Sequence, residues 1–494
     1  MTEQNPGQNP GQTVDVAIVG SGFAGLGAAI RLAQAGRNDF VVLEKGASLG
    51  GTWRDNTYPG CACDVQSHLY SFSFAPNPNW RRKFATQPEI RAYLEDVADR
   101  YGLRARIRYG AEVASAEWVG KGWTLRLADG STVSARVVVW GTGALHEPSM
   151  PEIAGIDEFE GEVFHSAQWN HDHDLRGRRV AVVGTGASAI QFVPAIQPDV
   201  EHLTLFQRTA PWVLPKPDRE VPPLMRRLYR AFPVAQKLQR SVIYARNESL
   251  VSGFLKPKRM ELVQKFGRAY LDRKFADRPD LKAKLIPDFT IGCKRILLSN
   301  DYFPALKQPN VELVTEKIVR VTPNAVVTAD GVEHEVDTII FGTGFKVAEG
   351  LGRSVPIVGR DGLALTEVWR GGVEGFLGTT IAGFPNLFVL TGPNTGLGHS
   401  SMIFMIESQL NYVLDGLRLL DEKRAVALDT RRDRQDAYNR QIQRRLDGSV
   451  WLKGGCASWY LDADGRNRTL WPDYTFRFRR RTRRVRAGDH ELLA

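Results

Sequence analysis

No run of about 18 or more apolar residues occurs, the least that a bilayer-crossing helix needs, so a membrane-spanning protein is not expected. Cysteine is scarce: Cys61, Cys63, Cys293 and Cys456 are the four in 494 residues. They have neither zinc-ligand spacing nor the CxxC of a dithiol centre, which predicts no metal site and four free thiols in a reducing compartment, the cytoplasm. No signal peptide is expected either. Gln4-Asn5-Pro6-Gly7 repeats as Gln8-Asn9-Pro10-Gly11 without apolar core or basic flank, so residues 1–13 are expected to be a disordered leader.

What is present is a globular composition, 43% hydrophobic and 24% charged, on a chain long enough for two to four domains. The net charge of +10 is concentrated at the C-terminus. Arg477 to Arg486 hold seven arginines and no acid, and subtracting seven from +10 leaves +3 for the remainder. With Phe476, Phe478 and Val485 among them, these arginines are read as a terminal strand or arm on the surface rather than a nucleic-acid site.

Val14 to Val19 is a short apolar run followed by Gly20-Ser21-Gly22-Phe23-Ala24-Gly25 and an Ala/Leu-rich stretch ending near Gly36. The second strand, Phe40 to Leu43, ends in Glu44. This is the strand, glycine turn, helix and strand of a dinucleotide site: Gly20 makes the turn, Gly22 admits the pyrophosphate, and Gly25 lets helix pack on strand. The pattern recurs with Arg179 to Val183, then Gly184-Thr185-Gly186-Ala187-Ser188-Ala189, then Leu203 to Phe206. Two further strands run into Gly-Thr-Gly, at Gly141-Thr142-Gly143 and Gly342-Thr343-Gly344. Between the units, residues 216–287 carry Leu, Arg and Lys at helical spacing. They are read as a helical insert whose basic amphipathic faces are solvated rather than lying on a membrane. The fold class is therefore α/β, with two Rossmann-like dinucleotide-binding domains and a helical insert.

The residue 24 positions after the first glycine differs between the two units. In the first it is Glu44, which accepts hydrogen bonds from a ribose diol and repels a 2′-phosphate. In the second it is Arg208, followed by Thr209, which suits a 2′-phosphate. The economical pairing is FAD on the first and NADPH on the second. The expected division is residues 14–147 and 386–494 for FAD, and 148–215 and 288–385 for NADPH.

Phe159-Glu160-Gly161-Glu162-Val163-Phe164-His165-Ser166-Ala167-Gln168-Trp169 resembles the FxGxxxHxxxW fingerprint of the type I Baeyer–Villiger monooxygenases, of the flavin-containing monooxygenase superfamily; Asn170 stands where that family has Pro or Asp. Gly50-Gly51-Thr52-Trp53, Tyr58-Pro59-Gly60 and Asp64 resemble its GGxWxxxxYPGxxxD motif, Asp337 to Phe345 its DxxxxxTGF segment, and Gly392-Pro393 its late turn. The resemblance implies oxidation of a ketone to an ester or lactone by dioxygen through a C4a-peroxyflavin. It implies FAD contacts at Gly51, Thr52, Trp53 and Asp64, and NADPH contacts at Gly184, Gly186, Ser188 and Lys294. It further implies Arg295, oriented by Asp64, as the catalytic cation, and Trp459 near the nicotinamide. His165 and Trp169 are expected to couple the two nucleotide domains rather than transfer protons. Two other readings stay open: an N- or S-oxidising flavin monooxygenase, and an NADPH-dependent flavoprotein reductase. The ketone, the selectivity and the oligomeric state are not legible.

Overall fold

The computed structural model describes residues 11–347 and 355–494. The first sheet begins with β1 (Gln12–Val19), β2 (Phe40–Glu44), β3 (Ile107–Tyr109), β4 (Val113–Val119), β5 (Gly122–Leu127) and β6 (Thr132–Trp140). It has eight strands. β1 lies parallel between β2 and β6, so each of its apolar side chains is covered on both faces and Ala17 and Ile18 are fully buried. β4, β5 and β6 form an antiparallel meander on one flank. Most of the expected leader, residues 1–10, lies outside the described residues. Its expected end is corrected, because Gln12 and Thr13 already pair with Val133 and Ser134.

The second sheet has five parallel strands in the order 311–314, β9 (His202–Phe206), β8 (Arg179–Val183), 338–341, β7 (Glu162–His165). Helices occupy Pro223 to Leu285, where the insert was expected. The expected boundary at residues 385/386 moves. Ile357–Val358 pairs with β4, and Leu365, Ile381 and Phe384 join the core under the first sheet, so the described part of 355–385 packs with that sheet. Strand Leu387–Val389 then adds to β6.

Two other expectations are overturned. The arginine-rich tail is a helix, Thr475–Arg481, and the terminal strand comes later, at His490–Leu493 against Ala427–Thr430. Thr475, Phe478, Thr482 and Val485 are buried at near-helical spacing, and this apolar period, not the arginines, fixes the backbone. Cys293 and Cys456 are not free thiols but a disulfide, with Cα atoms 6.1 Å apart. The amide of Thr290 donates to the carbonyl of Gly454 at 2.9 Å, which brings together two loops that no local spacing connects. Cys61 and Cys63 remain free and buried, and burial pushes the Cys61 thiol up to about 11.

Candidate functional site

Both glycine turns are built the same way. Gly20 and Gly184 have φ of +94° and +111°, a backbone that L side chains rarely adopt. A Cβ on either would meet a neighbouring carbonyl, Gly141 at 2.9 Å or Gly342 at 2.6 Å, so each Gly-Thr-Gly exit is the wall against which a phosphate turn packs. A Cβ on Gly25 would run into the Gly20 carbonyl, which is why the third glycine is required. Gly22 caps helix Phe23–Gln34 and faces Gly51, to which a Cβ would come within 3.6 Å of Cα. The amides at this helix start aim partial positive charge at the space in front of them.

That space is a cavity of about 2420 Å³ running past the carboxyl ends of β1, β2, β6, β8 and β9. An ordinary single-ligand pocket has roughly 300–1,000 Å³, so the cavity has room for two large ligands and a small one. Gly20, Gly22, Glu44, Gly51, Thr52, Trp53 and Asp64 line it. So do Gly184, Gly186, Ser188, Arg208, Thr209, Lys294, Arg295 and Trp459. Gly25 lies behind the turn, and His165 and Trp169 do not reach the wall.

Glu44 is buried at the end of β2. One carboxylate oxygen accepts from the Ser21 amide (2.9 Å) and hydroxyl (2.6 Å), the other from the Gly46 amide (2.7 Å) and Arg54 (2.6 Å). Burial alone would raise its pKa, but Ser21, Arg54 and Gly46 together hold it below the usual carboxylate value. On the facing side, Arg208 is exposed and Lys294 half-buried above the Phe289 ring at 5.1 Å. Burial first and then the charge of Arg208 push the Lys294 pKa down, with Asp288 opposing. Two cations that disfavour each other beside an open cavity are stabilised by an anion between them.

Arg295 adjoins Lys294. Its Nε donates to one Asp64 oxygen at 2.9 Å, Nη2 lies 2.7 Å from the same oxygen in an ion pair, and Nη1 donates to the Leu397 carbonyl at 2.9 Å. Three contacts from two directions fix the guanidinium plane. Burial opposes its charge, but the Asp64 carboxylate outweighs burial and the pKa is raised. Trp459 is 51% exposed and packs on Tyr460, 4.5 Å between ring centroids.

His165 is buried, its Nδ1 accepting from the Ala167 amide at 3.1 Å, with Phe345 edge-on at 5.8 Å. Burial lowers its pKa. Trp169 packs on Phe164 and on Phe192, and Phe192 meets Tyr58 at 6.0 Å, forming an aromatic chain from the second unit to the loop carrying Tyr58, Gly60 and Asp64. Asn170 donates to Glu162 at 2.7 Å and accepts from the Asp172 amide.

Sequence reasoning missed several members of this site. Gln191 accepts from Tyr58 and the Ala62 amide and donates to the Ala62 carbonyl, tying the two units by three hydrogen bonds. Gly60 approaches the same helix so closely that a Cβ would lie 2.7 Å from the Gln191 carbonyl. Arg54, which neutralises Glu44, and the Leu397 carbonyl also went unseen. Only Arg54 had a local signal, its place next to Trp53. Among the described residues no group of three or more His, Cys, Asp or Glu is placed to hold a metal.

Residues 17–232 match a family model described as pyridine nucleotide-disulphide oxidoreductase. A Baeyer–Villiger monooxygenase of Pseudomonas aeruginosa is 52% identical over 481 residues, 97% of this chain and 91% of that protein. One of Streptomyces coelicolor is 52% identical over 484 residues, 97% and 93% of the two chains. Among solved structures, an oxidised steroid monooxygenase bound to NADP superposes with a TM-score of 0.87 at 31% identity, covering 98% of this chain and 100% of that one. Likeness at this level and over this length leaves one conclusion: the chain belongs to the Baeyer–Villiger monooxygenase family.

Proposed function

We propose that the protein is an FAD- and NADPH-dependent monooxygenase that converts a ketone, dioxygen, NADPH and a proton into an ester or lactone, water and NADP⁺. The observation that carries this reading is the fixed Arg295–Asp64–Leu397 cluster on a cavity walled by two dinucleotide turns. The first sheet, with residues 14–147 and the segment from about 355 to the C-terminus, is the FAD side. The NADPH side is 148–215 with 288–347, and 216–287 is the insert.

The residues fit both cofactors. Gly20, Gly22 and Gly25 shape the pyrophosphate turn, Glu44 faces the adenosine ribose, and Gly51, Thr52, Trp53 and Asp64 complete the FAD wall. Gly184, Gly186 and Ser188 form the second turn, where Arg208, Thr209 and Lys294 take the 2′-phosphate. Lys294 and Arg208 have the mutual destabilisation that a dianion relieves. Trp459 covers the nicotinamide end.

Held by these residues, FAD would supply the activation of dioxygen and NADPH the reducing equivalents. The chain's own part is electrostatic and steric. Asp64 and the Leu397 carbonyl hold Arg295 at the cavity wall, so its charge stands ready for the negative oxygen that develops on the substrate carbonyl. Asp64 sets its direction. Trp169 holds the two units in register through Phe192 and Tyr58, and His165, packed within the second unit against Phe345, braces the segment that carries Trp169 rather than handling protons. Its dependence on NADPH suits work in the cytoplasm, although the disulfide removes free thiols at Cys293 and Cys456 as an argument for that compartment.

The test is product analysis of the FAD-loaded protein with NADPH, a panel of ketones and a thioether. Ester formed in step with NADPH consumed supports the reading. Sulfoxide alone moves the protein to heteroatom oxidation, and hydrogen peroxide equal to NADPH consumed, with no oxygenated product, moves it to a reductase.

A further inference from the structure

Helices Pro223–Ala231 and Pro233–Ser249 of the insert have two unlike faces. The inner face is docked: Tyr229 packs edge-on to His68 at 4.9 Å, Gln236 donates to the Asn77 carbonyl at 2.7 Å, and Arg240 donates to the His68 and Ser71 carbonyls at 2.8 Å. The outer face carries exposed apolar side chains. Leu224, Leu228 and Phe232 are 74, 37 and 62% exposed, and Val234, Leu238 and Val242 are 75, 66 and 57% exposed. Both triplets are spaced by four: Leu224 and Leu228 lie on the first helix with Phe232 directly after it, and Val234, Leu238 and Val242 lie on the second.

Charge selects the occupant. From residue 221 to 247 there are six cations and no acid. Arg227, Arg230, Lys237 and Arg246 are exposed, and among the described residues none makes an ion pair. Two copies meeting through this face would bring like charges together, whereas leucine, valine and phenylalanine rows beside unpaired arginines match a surface that is anionic outside and apolar beneath. We propose that this face docks peripherally on membranes containing anionic phospholipid. The combination recurs nearby, where Leu262 and Phe266 are 76 and 56% exposed on a helix that also carries Lys265 and Arg268. No helix of the described residues is long and apolar enough to cross the membrane, so the attachment is interfacial and salt-sensitive.

The experiment is flotation of the FAD-loaded protein with vesicles of phosphatidylcholine alone or of phosphatidylcholine mixed with phosphatidylglycerol. Binding is expected to the mixed vesicles only, falling as salt is raised. The double variant Leu228→Asp/Leu238→Asp should weaken it by about tenfold or more while NADPH oxidation with a water-soluble ketone is unchanged, because both positions lie on the outer face. The proposal is overturned by absence of binding to the mixed vesicles, or by binding that this variant leaves intact. It is also overturned if Arg483→Gln/Arg484→Gln in the tail abolishes binding instead, or if the protein self-associates and the leucine variant abolishes that association, so that the exposed stripe serves a second copy. None of these outcomes bears on the oxygenation chemistry.

Discussion

At Arg295 the decisive quantity is direction, since any arginine in the cavity would bring the charge but only one clamped by Asp64 and Leu397 keeps it aimed. Arg295→Ala should therefore lower the rate of ester formation by roughly a hundred- to thousand-fold, the usual loss on removing one preorganised electrostatic donor. NADPH oxidation should persist, with hydrogen peroxide in place of ester, measured by product analysis beside a peroxide assay. For Lys294→Ala and Arg208→Ala, loss of a charge-assisted hydrogen bond predicts KM for NADPH raised by roughly ten- to a hundredfold, with NADH kinetics unmoved. The double variant should show less than the summed effect, because both side chains serve one phosphate. Steady-state kinetics with the two nucleotides decide it.

Elements respond to pH through the residues that dock them. His68 is buried beneath the insert, and burial, then Arg240, lower its pKa to about 4. In the unfolded chain it titrates near its ordinary value of about 6.5, so between pH 6.5 and 4 the unfolded state binds more protons. Stability should therefore fall as pH drops through that window, by on the order of 1–3 kcal/mol from this group. His68→Gln, which keeps an acceptor and cannot titrate, should flatten this part of a thermal-stability profile; an unchanged slope would show that His68 does not tie the insert. The same scale explains what the sequence disclosed. Gly20 to Gly25 and Gly184 to Ala189 were legible because turn, strand and helix follow one another within a few dozen residues, and the charge reversal between Glu44 and Arg208 could be read at a fixed distance. The tail helix was misread because arginines obscured the buried spacing of Thr475, Phe478, Thr482 and Val485. The Gln191 bridge, the Leu397 carbonyl and the packing of 355–385 join residues far apart in the chain, which no local period encodes.

Across the whole molecule, the Cys293–Cys456 bond lies next to the cavity from both sides, three residues before Trp459 and directly before Lys294. With Cys456→Ser the two loops keep the Thr290–Gly454 hydrogen bond but lose their covalent tie. The expected result is a lower melting temperature, by a loss of about 2–4 kcal/mol, with FAD still bound. Differential scanning fluorimetry of the wild type with and without reductant should reproduce the same shift. The bond also closes a ring between two residues 163 apart in the chain, and that ring contains strands of both sheets, 338–341 of the second and 387–389 of the first. A protease that cuts once anywhere inside it would release nothing: the nicked enzyme would migrate as one species on a denaturing gel and divide into two fragments only after thiol is added.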